Sequence, residues 1–145
     1  MSKVEGFLNA NEEQEIVDAI QLAELNTSGE IRVHIEKTSN GDANLRALDV
    51  FYILKMDQTK LQNAVLIYVA IADKTFVIYG DKGINKVVPK DFWEDTKNVI
   101  QAHFKSGNFK QGLIDGILKS GLQLKHYFPY TDLDKNELTN EISKG

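Results

Sequence analysis

An α/β domain built around a strand hairpin is what this sequence predicts, and three observations carry the prediction. The run Ala64 to Ala72 is apolar without alternation and rich in Val, Ile and Tyr, which marks a strand covered on both faces. A second β-prone run, Thr75 to Tyr79, follows after Asp73-Lys74, a connection short enough for a hairpin. Elsewhere apolar residues recur at helical spacing, so helices are expected to cover the sheet.

Composition narrows the class. The chain has 145 residues, 42% hydrophobic and 26% charged, enough for one globular domain with a proper core. A formal net charge of −4 with no Lys/Arg run argues against nonspecific nucleic-acid binding and suits cations better. The absence of cysteine excludes disulfides, thiolate metal sites and cysteine nucleophiles. The stretch MSKVEGFLNANEEQE lacks the apolar core of a signal peptide. The longest apolar run falls far short of the roughly 20 residues that span a bilayer, so a cytoplasmic location is expected.

In chain order, Asn9 or Asn11 suits the N-cap of a helix from Glu12, with acids in its first turn and Ile16, Ala19, Ile20 and Ala23 on one stripe. Asn26-Thr27-Ser28-Gly29 stops it. Glu30 to Glu36 then alternates, with Ile31, Val33 and Ile35 inward and Arg32, His34 and Glu36 opposite. Lys37 to Gly41 is a polar loop, and Asp42 to Met56 resumes helical spacing. Leu45, Leu48 and Tyr52 lie on one side there, with Ala47, Phe51 and Leu54 beside them. A helix between two strands implies a crossover, so the first strand is expected to run parallel to the second.

Beyond Gly83, Pro89 fits a helix N-terminus, and Lys90 to Lys105 repeats Phe92, Thr96, Val99, Ile100 and His103. Ser106-Gly107-Asn108 breaks it before a helix over Phe109 to His126. Glycines 112, 116 and 121 in that helix point to close packing on the sheet or the preceding helix. His103 and His126 sit near helix C-termini, where a cap or dipole role accounts for them. His34 has no companion at metal-ligand spacing and reads as part of a polar sheet face.

This topology brings Glu30, Asn63 and Asp81 to one end of the sheet, beside Thr27-Ser28-Gly29. Gly80 and Gly83 bracket Asp81, which suits either simple turn chemistry or a tight turn whose backbone approaches a ligand. Glu36, Thr38, Asp42 and Asp73 mark the opposite end, where open α/β sheets often bind ligands, but that end lacks the paired glycines. Asp132-Leu133-Asp134-Lys135-Asn136-Glu137 resembles the start of a calcium loop. The EF-hand pattern fails at its sixth position, Glu137, and its twelfth, Ser143, leaving an acidic segment that Leu133 and Leu138 offer to anchor.

The runs TSGEIRVHIE (Thr27 to Glu36), NAVLIYVA (Asn63 to Ala70), YGDKGIN (Tyr79 to Asn85) and VPKDFW (Val88 to Trp93), with the final YFP, resemble the TPM-domain family. That family groups a thylakoid-lumen acid phosphatase, photosystem repair proteins and MOLO-type receptor-auxiliary proteins with bacterial relatives. The resemblance spans Phe7 to about Ile142. It implies a three-layer α/β/α sandwich, Rossmann-like, with a short mixed sheet, a central β-hairpin and helices on both faces. A single domain over 1–145 is expected, its core about 7–128, with the acidic segment 129–145 docking on it.

Carried over position by position, the resemblance implies Ca²⁺ or Mg²⁺ at Asp81 and Glu30, with Asp132, Asp134 and Glu137 as further ligands. Two functions follow as expectations. One is a cation-dependent interaction module with a protein partner; the other is an acid phosphatase acting on phosphomonoesters; beside both stands a plain scaffold whose acidic turns serve folding alone. With no cysteine nucleophile, P-loop or paired-histidine motif, hydrolysis would have to run through a cation that neutralises the acidic rim. Asp81 and Glu30 would hold that ion, and Lys82 would contact the substrate.

Overall fold

The computed structural model describes residues 7–130 and 138–145. Four strands, β1 (Glu30–Glu36), β2 (Ala64–Ala70), β3 (Thr75–Gly80) and β4 (Ser143–Lys144), form one mixed sheet in the order β3-β2-β1-β4. β1 runs parallel to β2, with Glu30 opposite Ala64 and Glu36 opposite Ala70, and β2 runs antiparallel to β3. Every residue of β2 is buried, the outcome its unbroken apolar run requires. The short β4 adds a parallel partner to β1 at His34 and Ile35.

Helices cover both faces, as expected of the sandwich. On one face, α1 (Ala10–Glu24), α4 (Glu94–Lys105) and α5 (Phe109–Lys125) pack on Ile31, Val33, Ile35, Val65, Ile67 and Val69. On the other, α2 (Ala43–Ile53) and a 3-10 turn (Met56–Gln58) cover Ala64, Leu66, Tyr68 and Ala70. A short helix, α3 (Lys82–Asn85), follows β3. Among the described residues no helix is long and apolar enough to cross a membrane.

Asn9 caps α1 through a reciprocal capping box: the Glu12 amide donates to Asn9 Oδ1 at 2.8 Å and the Asn9 amide to Glu12 Oε1 at 3.0 Å. The helix therefore starts at Ala10, two residues before the expected Glu12, and buries the four predicted residues Ile16, Ala19, Ile20 and Ala23. Two glycines of α5 are close-packing sites. A Cβ on Gly116 would lie 2.5 Å from Ile100 of α4, and one on Gly121 would lie 2.8 Å from the Ala23 carbonyl of α1.

Three local expectations are corrected. Pro89 does not open a helix: residues 89–93 form successive turns, with the Phe92 amide on the Pro89 carbonyl at 3.1 Å, and α4 begins only at Glu94. The helix over Asp42 to Met56 is shorter, because Lys55 takes a left-handed φ of 58° and sends Met56 back under the sheet. Of its two apolar stripes, the one with Ala47 and Phe51 is buried, while Leu45 and Tyr52 are exposed. The hairpin loop is also longer than Asp73-Lys74, since β2 ends at Ala70 and residues 71–74 turn, with Lys74 at a φ of 51°.

Candidate functional site

At the amino end of β1 and β2 the strand register sets three predicted residues side by side. The Glu30 amide donates to the Asn63 carbonyl at 3.3 Å, and the Asp81 amide donates to the Ala64 carbonyl at 3.0 Å. All three side chains are buried, Glu30 and Asp81 at 3% exposure and Asn63 at 1%. Lys82, by contrast, is exposed, and its backbone amide donates to Asp81 Oδ1 at 2.7 Å. Asp132, Asp134 and Glu137 lie outside the described residues.

Local chemistry explains why the chain folds this way. Thr27 Oγ1 donates to the Phe128 carbonyl and accepts from the Gly29 amide at 3.0 Å, which ties the loop before β1 to the end of α5. Thr59 Oγ1 accepts from the Asn63 amide at 3.3 Å, and Asn63 Nδ2 donates to Ser28 Oγ at 3.3 Å. Gly83 must be glycine: a Cβ there would lie 2.2 Å from the Leu61 carbonyl oxygen and 2.5 Å from that of Gln62. The close backbone approach at the Gly-bracketed turn is therefore between two parts of the protein itself, and Asp81 serves as the N-cap of α3.

That cap leaves something over. Asp81 Oδ2 and Asn63 Oδ1 are both buried with no hydrogen-bond partner, and so is Trp93 Nε1. The indole lies over Gly80, with Nε1 3.4 Å from where a Cβ of that glycine would be. Buried polar atoms without partners cost about 1–3 kcal/mol each, so each of these three is a place where a water, a ligand or a cation would be stabilising. Burial pushes the Asp81 carboxyl above its usual range, and the nearby Asp57 charge adds to that, against the pull of the Lys82 amide.

Sequence reasoning missed Glu24 here. Its Oε2 accepts the Ile31 amide at 3.0 Å, and its carboxyl is hydrogen-bonded to that of Glu30. Burial, together with the Glu30 carboxyl, pushes Glu24 up to about 9, so the pair shares a proton at neutral pH. Nothing in the local pattern marks Glu24; it is one polar residue at the end of an amphipathic helix. Among the described residues no three His, Cys, Asp or Glu side chains gather closely enough to hold a metal ion.

The opposite end of the sheet carries a self-satisfied network. Arg46 donates to both oxygens of Glu36, at 2.8 and 3.0 Å, and Tyr68 Oη also donates to Glu36. His34 Nε2 lies 3.0 Å from Glu36 and its Nδ1 2.9 Å from Ser143 Oγ. Burial raises Glu36, but the hydrogen bonds from Arg46, Tyr68 and His34 outweigh it and bring the carboxyl down to about 2. Asp42 caps α2, and Asp73 accepts from Thr38 and Ser39. Arg46 stands out in the sequence only as a lone cation among apolar helix positions.

Comparison with known proteins agrees with the order of motifs. The family model for the TPM domain matches residues 1–121. The chain belongs to the TPM-domain family. It is similar to BA42 from the psychrophilic bacterium Bizionia argentinensis, at 68% identity over all of both chains, with a TM-score of 0.93. Two more distant solved structures share the fold. The N-terminal domain of a P. gingivalis protein has 21% identity and a TM-score of 0.67, over 85% of this chain and 80% of that one. The N-terminal domain of cg2496 from Corynebacterium glutamicum has 10% identity and a TM-score of 0.64, over 92% and 78%. Comparison with curated proteins finds no match.

Proposed function

We propose that this TPM domain is a divalent-cation-binding interaction module, in which Ca²⁺ or Mg²⁺ at the amino end of β1 and β2 orders the loops that meet a protein partner. The observation that supports it is the pair of buried, unpartnered oxygens, Asn63 Oδ1 and Asp81 Oδ2. Both are hard donors of the kind Ca²⁺ takes from amide carbonyls and carboxylates. Glu30, from the adjacent strand, would add charge, and Asp132, Asp134 and Glu137 are proposed to complete the ligand set. With so few carboxylates among the described residues, water and backbone carbonyls would fill the remaining positions, which Mg²⁺ tolerates as well.

The test is a residue-resolved NMR titration of metal-stripped protein with Ca²⁺ and then Mg²⁺. Shifts centred on Glu30, Asn63 and Asp81, lost in Asp81→Asn, are expected. Shifts at Glu36, Asp42 and Asp73 instead, or none at all, would overturn the proposal.

A second reading, metal-assisted hydrolysis of phosphomonoesters, is favoured by one observation. Glu24 is hydrogen-bonded to Glu30 beside the proposed cation site and burial pushes its carboxyl up, the direction a general acid for the leaving group needs. The cation would supply charge neutralisation for the phosphate, while Lys82, exposed at the rim, would contact the ester. Turnover of p-nitrophenyl phosphate by metal-saturated protein that does not exceed the Asp81→Ala and Glu24→Gln controls would remove this reading.

A further inference from the structure

We infer that Asn40-Gly41, in the loop between β1 and α2, is a self-modification site where the Asn40 side chain cyclises onto the Gly41 amide and converts to aspartate and isoaspartate. Asn40 is the only asparagine in the chain that is followed by glycine. The reaction is limited by how closely the next amide nitrogen can approach the side-chain carbonyl, so a following residue without a Cβ favours it most. Both residues are exposed, and no atom lies within 4 Å of where a Gly41 Cβ would stand.

The local hydrogen bonds leave the attacking atom unengaged. The Asn40 amide donates to Thr38 Oγ1 at 3.2 Å, and the Gly41 carbonyl accepts from Ser39 Oγ at 2.8 Å. Among the described residues the Gly41 amide donates to no partner. Asn40 has a φ of 55° and Gly41 one of 148°, and both lie outside any helix or strand ladder. Asp115-Gly116 offers a contrast within the same chain. That pair has related chemistry but lies inside α5, with Gly116 pressed against Ile100, so ring closure there would require the helix to open.

The chemistry balances without any co-reactant but water. The Gly41 nitrogen attacks Asn40 Cγ, a C–N bond forms, and the side-chain nitrogen leaves as ammonia, giving a five-membered succinimide. Water then opens either carbonyl of the ring, yielding aspartate or the isomer in which the main chain runs through the side chain. The new carboxylate lies on a groove of about 530 Å³ that Asn40 lines together with Glu36, Ser39 and Arg46. It is flanked by the Asp42 cap and near the Thr38–Asp73 clamp. The isomer also lengthens the backbone two residues ahead of that cap, so the modification changes both charge and path at the carboxyl end of β1.

The experiment is to incubate the intact protein at mildly alkaline pH in ¹⁸O-water and follow residue 40 by peptide mapping. A parallel sample is unfolded in urea, and an isoaspartyl methyltransferase serves as probe for the isomer. A mass gain with ¹⁸O at residue 40, at a native rate within about tenfold of the unfolded rate, is the expected result. The gain should vanish in Asn40→Gln, whose longer side chain closes a ring far more slowly. A native protein that stays unmodified while the unfolded chain converts would overturn the inference. So would a mass gain that persists in Asn40→Gln.

Discussion

Replacing Glu24 by glutamine should make the metal-free protein more stable in mild alkali and leave it unchanged in mild acid. In the native state burial and the neighbouring Glu30 hold the Glu24 proton up to about 9, whereas the unfolded carboxyl loses it near 4.5. Folding therefore takes up a proton between those values, and stability present below the unfolded value is lost as pH rises toward the folded one. Each unit is worth about 1.4 kcal/mol, so at about pH 8 the full penalty would approach 5 kcal/mol. Glu24 is only half-buried and shares its proton with Glu30, so solvent screening lowers the expected gain to about 1–2 kcal/mol.

In Glu24→Gln the new amide side chain still accepts the Ile31 amide and donates permanently to Glu30, so the geometry is retained. Urea denaturation at about pH 5 and pH 8 reads the effect as the difference between the two pH values. A variant that is no more stable than the parent at the higher pH, with the parent's slope of stability against pH, would show that no proton is shared. Gains of this kind are common where a functional site is kept at the expense of stability.

Three further outcomes follow from the same structure. Gly83→Ala places a methyl 2.2 Å from the Leu61 carbonyl, and should cost about 1–3 kcal/mol while shifting the Asn63 amide in an HSQC spectrum; an unshifted Asn63 would refute the packing account. Glu36→Gln should shrink the acid limb of the stability curve by the share that Glu36 contributes, read as urea midpoints across the acid range. Glu36 has a folded-state value of about 2, so its stabilisation is present above the unfolded value near 4.5 and is lost as pH falls toward 2. Trp93 is the only tryptophan, and its buried indole N–H stands over Gly80, next to Asp81. Cation binding at Asp81 should therefore change its fluorescence, and Asp81→Asn should abolish that change.

The order of elements is legible in the sequence because it rests on local periodicity and on one topological rule. The apolar run at Ala64 marks a doubly covered strand, the alternation of Glu30–Glu36 marks its neighbour, and the helix between them requires a parallel pair. From these alone Glu30, Asn63 and Asp81 fall at one end of the sheet. Elements shorter than a helical repeat carry no periodic signal, so α3 and the 3-10 turn at Met56 leave no trace in the pattern. Pro89 has the chemistry of a helix start, yet Phe92 and Trp93 dock in turns instead.

Protonation and satisfaction of the polar groups belong to the tertiary structure. Glu24 and Glu30 are separated by a loop, and nothing in their spacing shows that folding sets one carboxyl against the other. Likewise Glu36 and Arg46 meet only because α2 crosses back over the sheet, and Asp81 has one oxygen capping α3 and the other buried without a partner only in the folded turn. A residue's type fixes which hydrogen bonds and charges it offers. Which of them are met, and which are left over for a ligand, depends on desolvation and distance between segments far apart in the chain.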